Sequence, residues 1–130
     1  TLTNSFATIV MEVMSMTHAL MATDPTAIAA LKTGVTKYLD YLAANYAKSS
    51  YNDGKSFMMD GHGKLYGKII DVGPGSSRSV HSFIVLSDTP KFKTGDILKA
   101  ATWKAPAMNF ARGSVFNPAS YAKHSWTGAF

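Results

Sequence analysis

The stretch KSSYNDGKS, residues 48–56, decides how this chain is read, because the periodicity of the apolar residues changes across it. Upstream, bulky apolar side chains recur at three- and four-residue steps, which lines them up on one face of an α-helix. Downstream, short runs of β-branched and aromatic residues alternate with Gly, Pro, Asn and Asp, the pattern of strands and turns. Asn52, Asp53 and Gly54 at its centre suit a turn: Asx side chains bond nearby backbone, and Gly takes angles closed to other residues. The chain reads as α+β, helices first and sheet second.

Working back from that turn, Ile28, Leu31, Val35, Leu39, Leu42 and Tyr46 form an apolar stripe, with Lys32, Thr36, Lys37, Asp40 and Ala43 on the other side. Asp24 suits the cap of this helix, and Pro25 suits its first position, where a missing N–H costs nothing. Gly34 lowers helix propensity by about 1 kcal/mol relative to Ala, which points to close approach by another backbone. Further back, Phe6, Ile9, Val10, Val13, Met16, Leu20 and Met21 predict a first helix over 6–21, capped by Thr3 or Asn4. The short link between the two makes residues 1–48 a helical hairpin. Met11, Met14, Met16 and Met21 either fill an irregular helix-on-sheet core or mark an adaptable self-association surface.

Working forward, Phe57–Met59, Leu65–Val72, Val80–Leu86, Ile97–Trp103 and Asn109–Phe116 predict a mostly antiparallel sheet of four or five strands over 55–117. The sheet is open or curled, and the helical pair covers one face. Tyr121, Trp126 and Phe130 are expected to anchor an ordered tail, 118–130, on the body. At 130 residues, of which 46% are apolar and 16% charged, a single domain with one packed core is expected.

The composition excludes several chemistries. With no Cys there are no disulfides, thiolate nucleophiles or Cys-type zinc sites. No apolar run approaches the roughly 18 residues of a membrane span, and the start carries no cationic segment of a signal peptide. His18, His62, His81 and His124 lack any ligand-type spacing, so DGHG at 60–63 reads as a turn, and neither metal nor cofactor is expected. A Ser/His/Asp set is conceivable from Asp71, His81 and Ser76, Ser77 or Ser79, but no G-x-S-x-G elbow holds a Ser in the strained, exposed geometry of a nucleophile.

The charge is unevenly spread. Residues 1–47 carry two Lys against Glu12, Asp24 and Asp40, a net −1, while residues 48–130 carry eleven Lys or Arg against five Asp, a net +6. A basic region attracts phosphates. Two segments of it are candidates. In GPGSSRS, 73–79, Gly73 and Gly75 at positive φ would aim N–H groups at an anion, helped by Ser76, Ser77 and Arg78; the alternative is a plain hairpin connector. In GDILKAATWKAPAMNFARGSVF, 95–116, Lys99, Lys104 and Arg112 stand among Trp103, Phe110 and Phe116.

Strand alternation sends Ile97, Lys99, Ala101 and Trp103 one way and Leu98, Ala100, Thr102 and Lys104 the other. Pro106 ends the pairing, after which Met108, Phe110, Arg112 and Phe116 share a side. Cations interleaved with exposed rings serve single-stranded nucleic acid, phosphates taking the charge and bases stacking on the rings. The alternative keeps Trp103 and Phe110 in the core and leaves the Lys solvated.

Over residues 80–128, VHSFIVLSD, FKTGDILKAATWKAPAMNFARGSVFN and SWTG resemble small uncharacterised proteins of tailed bacteriophages and other large double-stranded DNA viruses. The shared positions are His81, Gly95, Asp96, Lys99, Trp103, Lys104, Pro106, Arg112 and Gly113; Met108-Asn109-Phe110 replaces a shorter, more basic link. The resemblance implies a viral setting, in the host cytoplasm or the virion, and no activity. The expected function is a nonenzymatic module binding nucleic acid or another polyanion through Arg78, Lys99, Trp103, Lys104, Arg112, Ser76 and Ser77. The alternatives are an assembly protein, acting through a viral partner or its own copies, and a small hydrolase.

Overall fold

A computed structural model describes residues 25–49, 54–60 and 65–130. The helix expected over 6–21, and His62 with the turn around it, lie outside the described residues. Helix α1 runs Pro25–Ala47, followed by strands β1 (Ser56–Asp60), β2 (Tyr66–Val72), β3 (Arg78–Val85), β4 (Asp96–Lys99) and β5 (Gly113–Ser114). The strands lie in the order β1-β2-β3-β4-β5, each antiparallel to its neighbour. This is an α+β fold in which a helix packs against an open meander.

Helix α1 starts at the proline that suits a first turn, and it buries Gly34, Val35, Tyr38, Leu42 and Tyr46 at helical spacing. The buried stripe is therefore centred on Tyr38, whereas Ile28 is exposed and Leu31 and Leu39 sit on its flanks. A Cβ on Gly34 would lie 3.0 Å from both the Val115 carbonyl oxygen and Val115 Cγ2. That glycine lets the helix meet the backbone just beyond β5, the close approach its presence in a helix implies.

The core under α1 joins Val35, Tyr38 and Leu42 to Ile69, Ile84 and Ile97 of the three central strands, and to Val115, Tyr121 and Ala129. The other face of the sheet carries Phe83, Val85 and Leu98 with Phe92, flanked by Tyr66, Val80, Ala100 and Ala111. Strand β3 is thus buried from both sides over its second half, where Phe83, Ile84 and Val85 form a continuous apolar run. Within it the register slips: Ile69 faces Ser82 and Ile70 faces Val80, so His81 is the extra residue of a β-bulge. In a regular strand His81 and Ser82 would point to opposite faces; the bulge turns both toward α1.

Two expected strands are shortened. The β4 ladder stops at Lys99, with Ala100 bridged to Pro106. Between them a tight turn forms: the amides of Ala101 and Thr102 donate to the Ala105 carbonyl, and Thr102 Oγ1 accepts from the Lys104 and Ala105 amides. Only Gly113 and Ser114 remain of the strand expected over 109–116. The Ala107 amide donates to the Lys99 carbonyl and the Arg112 amide to that of Ile97, so residues 108–111 loop out between two adjacent ladder positions.

The tail is ordered on the body. Asn117 Oδ1 caps a 3-10 turn at Pro118–Tyr121 by accepting from the Ala119 amide. Tyr121 is buried, and Trp126 meets Tyr46 edge to face at 5.1 Å. Phe130, expected as a third anchor, is instead 47% exposed, and Ala129 and His124 take the buried positions.

Candidate functional site

On β2, Tyr66 and Lys68 lie opposite Val85 and Phe83, so both point to the face away from α1. The turn after β4 brings Trp103 over that face, where the Lys68 ammonium stands 4.3 Å from its ring centroid. Met108, in the loop extruded before β5, accepts a weak 3.7 Å hydrogen bond from the Tyr66 hydroxyl on Sδ. Two residues on, Phe110 carries the Arg112 guanidinium 4.1 Å above its ring.

The loop is braced from within: Asn109 Oδ1 accepts from the Phe110 amide at 2.8 Å and from Arg112 Nη2 at 3.2 Å. Arg112 Nε donates to the Phe110 carbonyl at 3.3 Å. Trp103 is 45% and Phe110 57% exposed, so each ring has a cation against it and about half its surface in water. Such a contact contributes about 0.5–1 kcal/mol at an exposed site. Lys104 lies exposed beside Trp103 in the turn. Among the described residues, no carboxylate is ion-paired with Lys68, Lys104 or Arg112.

At the other end of this face, Phe92 is buried against it between exposed Lys91 and Lys93. The acids of that loop are tied to backbone: Asp88 Oδ1 accepts from the Thr94 amide, and Asp96 Oδ2 from the Lys93 amide.

The residues singled out in the sequence do not form one group. Trp103, Lys104 and Arg112 flank the outer face just described. Lys99 lies opposite Ser82, which puts it by register on the α1 side of the sheet. Arg78 opens β3 opposite Val72, four residues and about 13 Å along the strand from Ser82.

Ser76 and Ser77 belong to a turn that closes on itself. There the Gly73 amide donates to the Ser77 carbonyl at 2.8 Å, and the Ser77 amide and hydroxyl to the Pro74 carbonyl. Gly75 does adopt positive φ, at 68°, but Gly73 does not, and Pro74 has no N–H to offer an anion. Lys68 and Tyr66 were passed over in the sequence; the signal was the alternation of Tyr66, Lys68 and Ile70 against Gly67, Ile69 and Asp71.

The α1 side holds a different cluster. His81 Nε2 is 2.7 Å from the Ser125 carbonyl and His124 Nε2 is 2.8 Å from that of Arg112. A carbonyl only accepts, so both rings carry their proton on Nε2. Each Nδ1 is then an acceptor, for the Ser82 hydroxyl at 2.9 Å in His81 and the Tyr38 hydroxyl at 2.9 Å in His124.

Burial pushes the pKa of both histidines down, the carbonyl bonds opposing it, and burial pushes the Tyr38 phenol up. The cluster is neutral and sealed, Ser82 being fully buried. It assembles no hydrolytic relay. Asp71 is held by Lys55 at 3.2 Å and by the Ser79 hydroxyl at 2.7 Å, while His81 is turned to Ser82 and Ser125. Among the described residues, no group of three or more His, Asp or Glu is placed to hold a metal.

Fold and surface together define an α+β domain with one helix-covered sheet face and one face bearing cation-backed aromatic rings. The chain belongs to a family of unknown function, DUF7717, whose family model matches residues 6–130. No curated protein and no solved structure matches it. Among the described residues no helix is long and apolar enough to cross a membrane.

Proposed function

We propose that this domain is a nonenzymatic binding module for polyanions, which it engages through the outer face around Lys68, Trp103, Lys104 and Arg112. The supporting observation is the pairing of Lys68 with Trp103 and of Arg112 with Phe110 on one side of the sheet, with no carboxylate among the described residues ion-paired to either cation. Among the described residues no acid is ion-paired with these groups, Asp60 lying opposite Lys68 in the β1–β2 register, so a phosphate approaching them meets cations not tied up in salt bridges. The net +6 of residues 48–130 adds long-range attraction.

Anisotropy titration of a labelled polyanion tests the reading. Neutralising three phosphates releases their counterions, so affinity should fall about 40-fold between about 50 and 200 mM salt. No binding at low salt, or binding indifferent to salt, removes it.

A second reading, assembly through self-association, is favoured by the exposed apolar side chains Met58, Leu65, Met108 and Phe110. Sedimentation decides it: a monomer at high concentration argues against assembly. The viral setting implied by the resemblance of residues 80–128 belongs to both proposals.

A further inference from the structure

We infer that the ligand of the outer face is single-stranded nucleic acid, its bases stacking on Trp103 and Phe110 and its phosphates meeting Lys68, Lys104 and Arg112; this rests on the polyanion-binding reading above. The positions of the cations carry the argument. A surface that binds polyanions by charge alone projects its cations into solvent, whereas Lys68 and Arg112 lie against rings, 4.3 and 4.1 Å from their centroids. Each cation holds its ring in place, so a base that stacks there meets a platform already ordered. In a duplex the π-faces are hidden between neighbouring pairs; only an unpaired base has a face to offer.

The platforms are linked. From Trp103 the surface passes to Lys68, then two residues along β2 to Tyr66, a step of about 7 Å, and from the Tyr66 hydroxyl to Met108 in the loop that bears Phe110. A strip with a ring at each end suits more than one nucleotide. Arg112 is held by its Nε and Nη2 donations to the Phe110 carbonyl and Asn109 Oδ1, and its three remaining N–H groups are left for a phosphate. Binding by stacking and charge tolerates any sequence.

The test titrates the full chain, at one salt concentration, with a labelled mixed-sequence single-stranded DNA, the duplex of the same sequence, and a heparin fragment. The single strand should bind at least tenfold tighter than the duplex. Trp103→Ala should weaken single-strand binding about 5- to 150-fold, the equivalent of one stacked base. Phe110→Ala should act in the same direction, and both variants should keep the parent's circular-dichroism spectrum, showing that they are folded. Equal affinity for single strand and duplex, with Trp103→Ala neutral on both, overturns the inference and leaves the polyanion reading standing. Heparin binding alone also overturns it, and failure of all three ligands to bind removes both.

Discussion

Tyr38, Tyr121, His81 and His124, on the helix side of the sheet, are buried and meet one another edge to face or through hydrogen bonds, whereas Trp103 and Phe110 on the opposite side stand about half exposed against cations. The difference lies in what each ring is paired with. Tyr38 packs edge-on against Tyr121 at 4.7 Å, His124 at 5.8 Å and His81 at 6.2 Å, an arrangement in which positive ring edges meet negative ring faces and water is excluded. A lysine or arginine over a ring cannot be enclosed in that way without desolvating its charge, so it keeps the ring at the surface. One side of the sheet thus uses aromatic residues to close the fold, and the other keeps them open to a ligand.

The comparison breaks first if Tyr38 is dispensable. Tyr38→Ala removes a fully buried ring and should cost about 3–5 kcal/mol in denaturant unfolding. Tyr38→Phe keeps the ring but leaves His124 Nδ1 without its donor, and should cost about 1–3 kcal/mol. A Tyr38→Phe protein as stable as the parent would mean that packing alone holds this side.

Acid provides the next test. Burial lowers both histidine pKa values in the fold, so between the folded and unfolded values the unfolded chain binds more protons. Stability from this source is complete above the ordinary histidine value, about 6.5, and declines as the pH falls from there through the lowered folded values. The slope should reach at most about 1.4 kcal/mol per histidine per pH unit. His81→Gln should flatten the midpoint-against-pH curve below that point; an unchanged curve would mean that His81 titrates as freely in the fold as in the unfolded chain.

The smallest effect belongs to the outer face. Trp103→Ala should change stability by less than about 1 kcal/mol, the value of one exposed cation–ring contact, and leave the acid slope as it was. A larger loss would make Trp103 part of the core.

Much of the fold was legible because it rests on local patterns. Pro25 opens α1, Gly34 marks the contact with Val115, and the short apolar runs are antiparallel strands. What stayed hidden depends on contacts distant in sequence. Alternation carried Ile97 onward to Trp103, but the Thr102 hydroxyl captures two amides and turns the chain after Lys99. The β-bulge at His81 falls in VHSF, where no glycine marks it, and follows from the register that Ile69 and Ile70 impose across the ladder. Lys68 looks like an ordinary solvated residue of a strand until the turn 35 residues later lays Trp103 against it. The basic residues were visible as a group in sequence, yet a sheet has two sides: register puts Lys99 on the α1 side, and the turn after it carries Trp103 to the other.

The contacts of the tail bear on synthesis. Tyr38, Tyr41 and Asn45 of α1 hold it through His124 Nδ1, the Ala122 and His124 carbonyls and the Trp126 amide, and Ala129 is wholly enclosed with Val35 and Ile84. A helix is therefore sealed by residues made 81 to 86 positions after those they contact. Until those residues have been made, the nascent chain leaves part of the apolar side of α1 uncovered, which makes this protein a candidate for chaperone holding during translation and leaves a chain truncated before Tyr121 open to proteolysis.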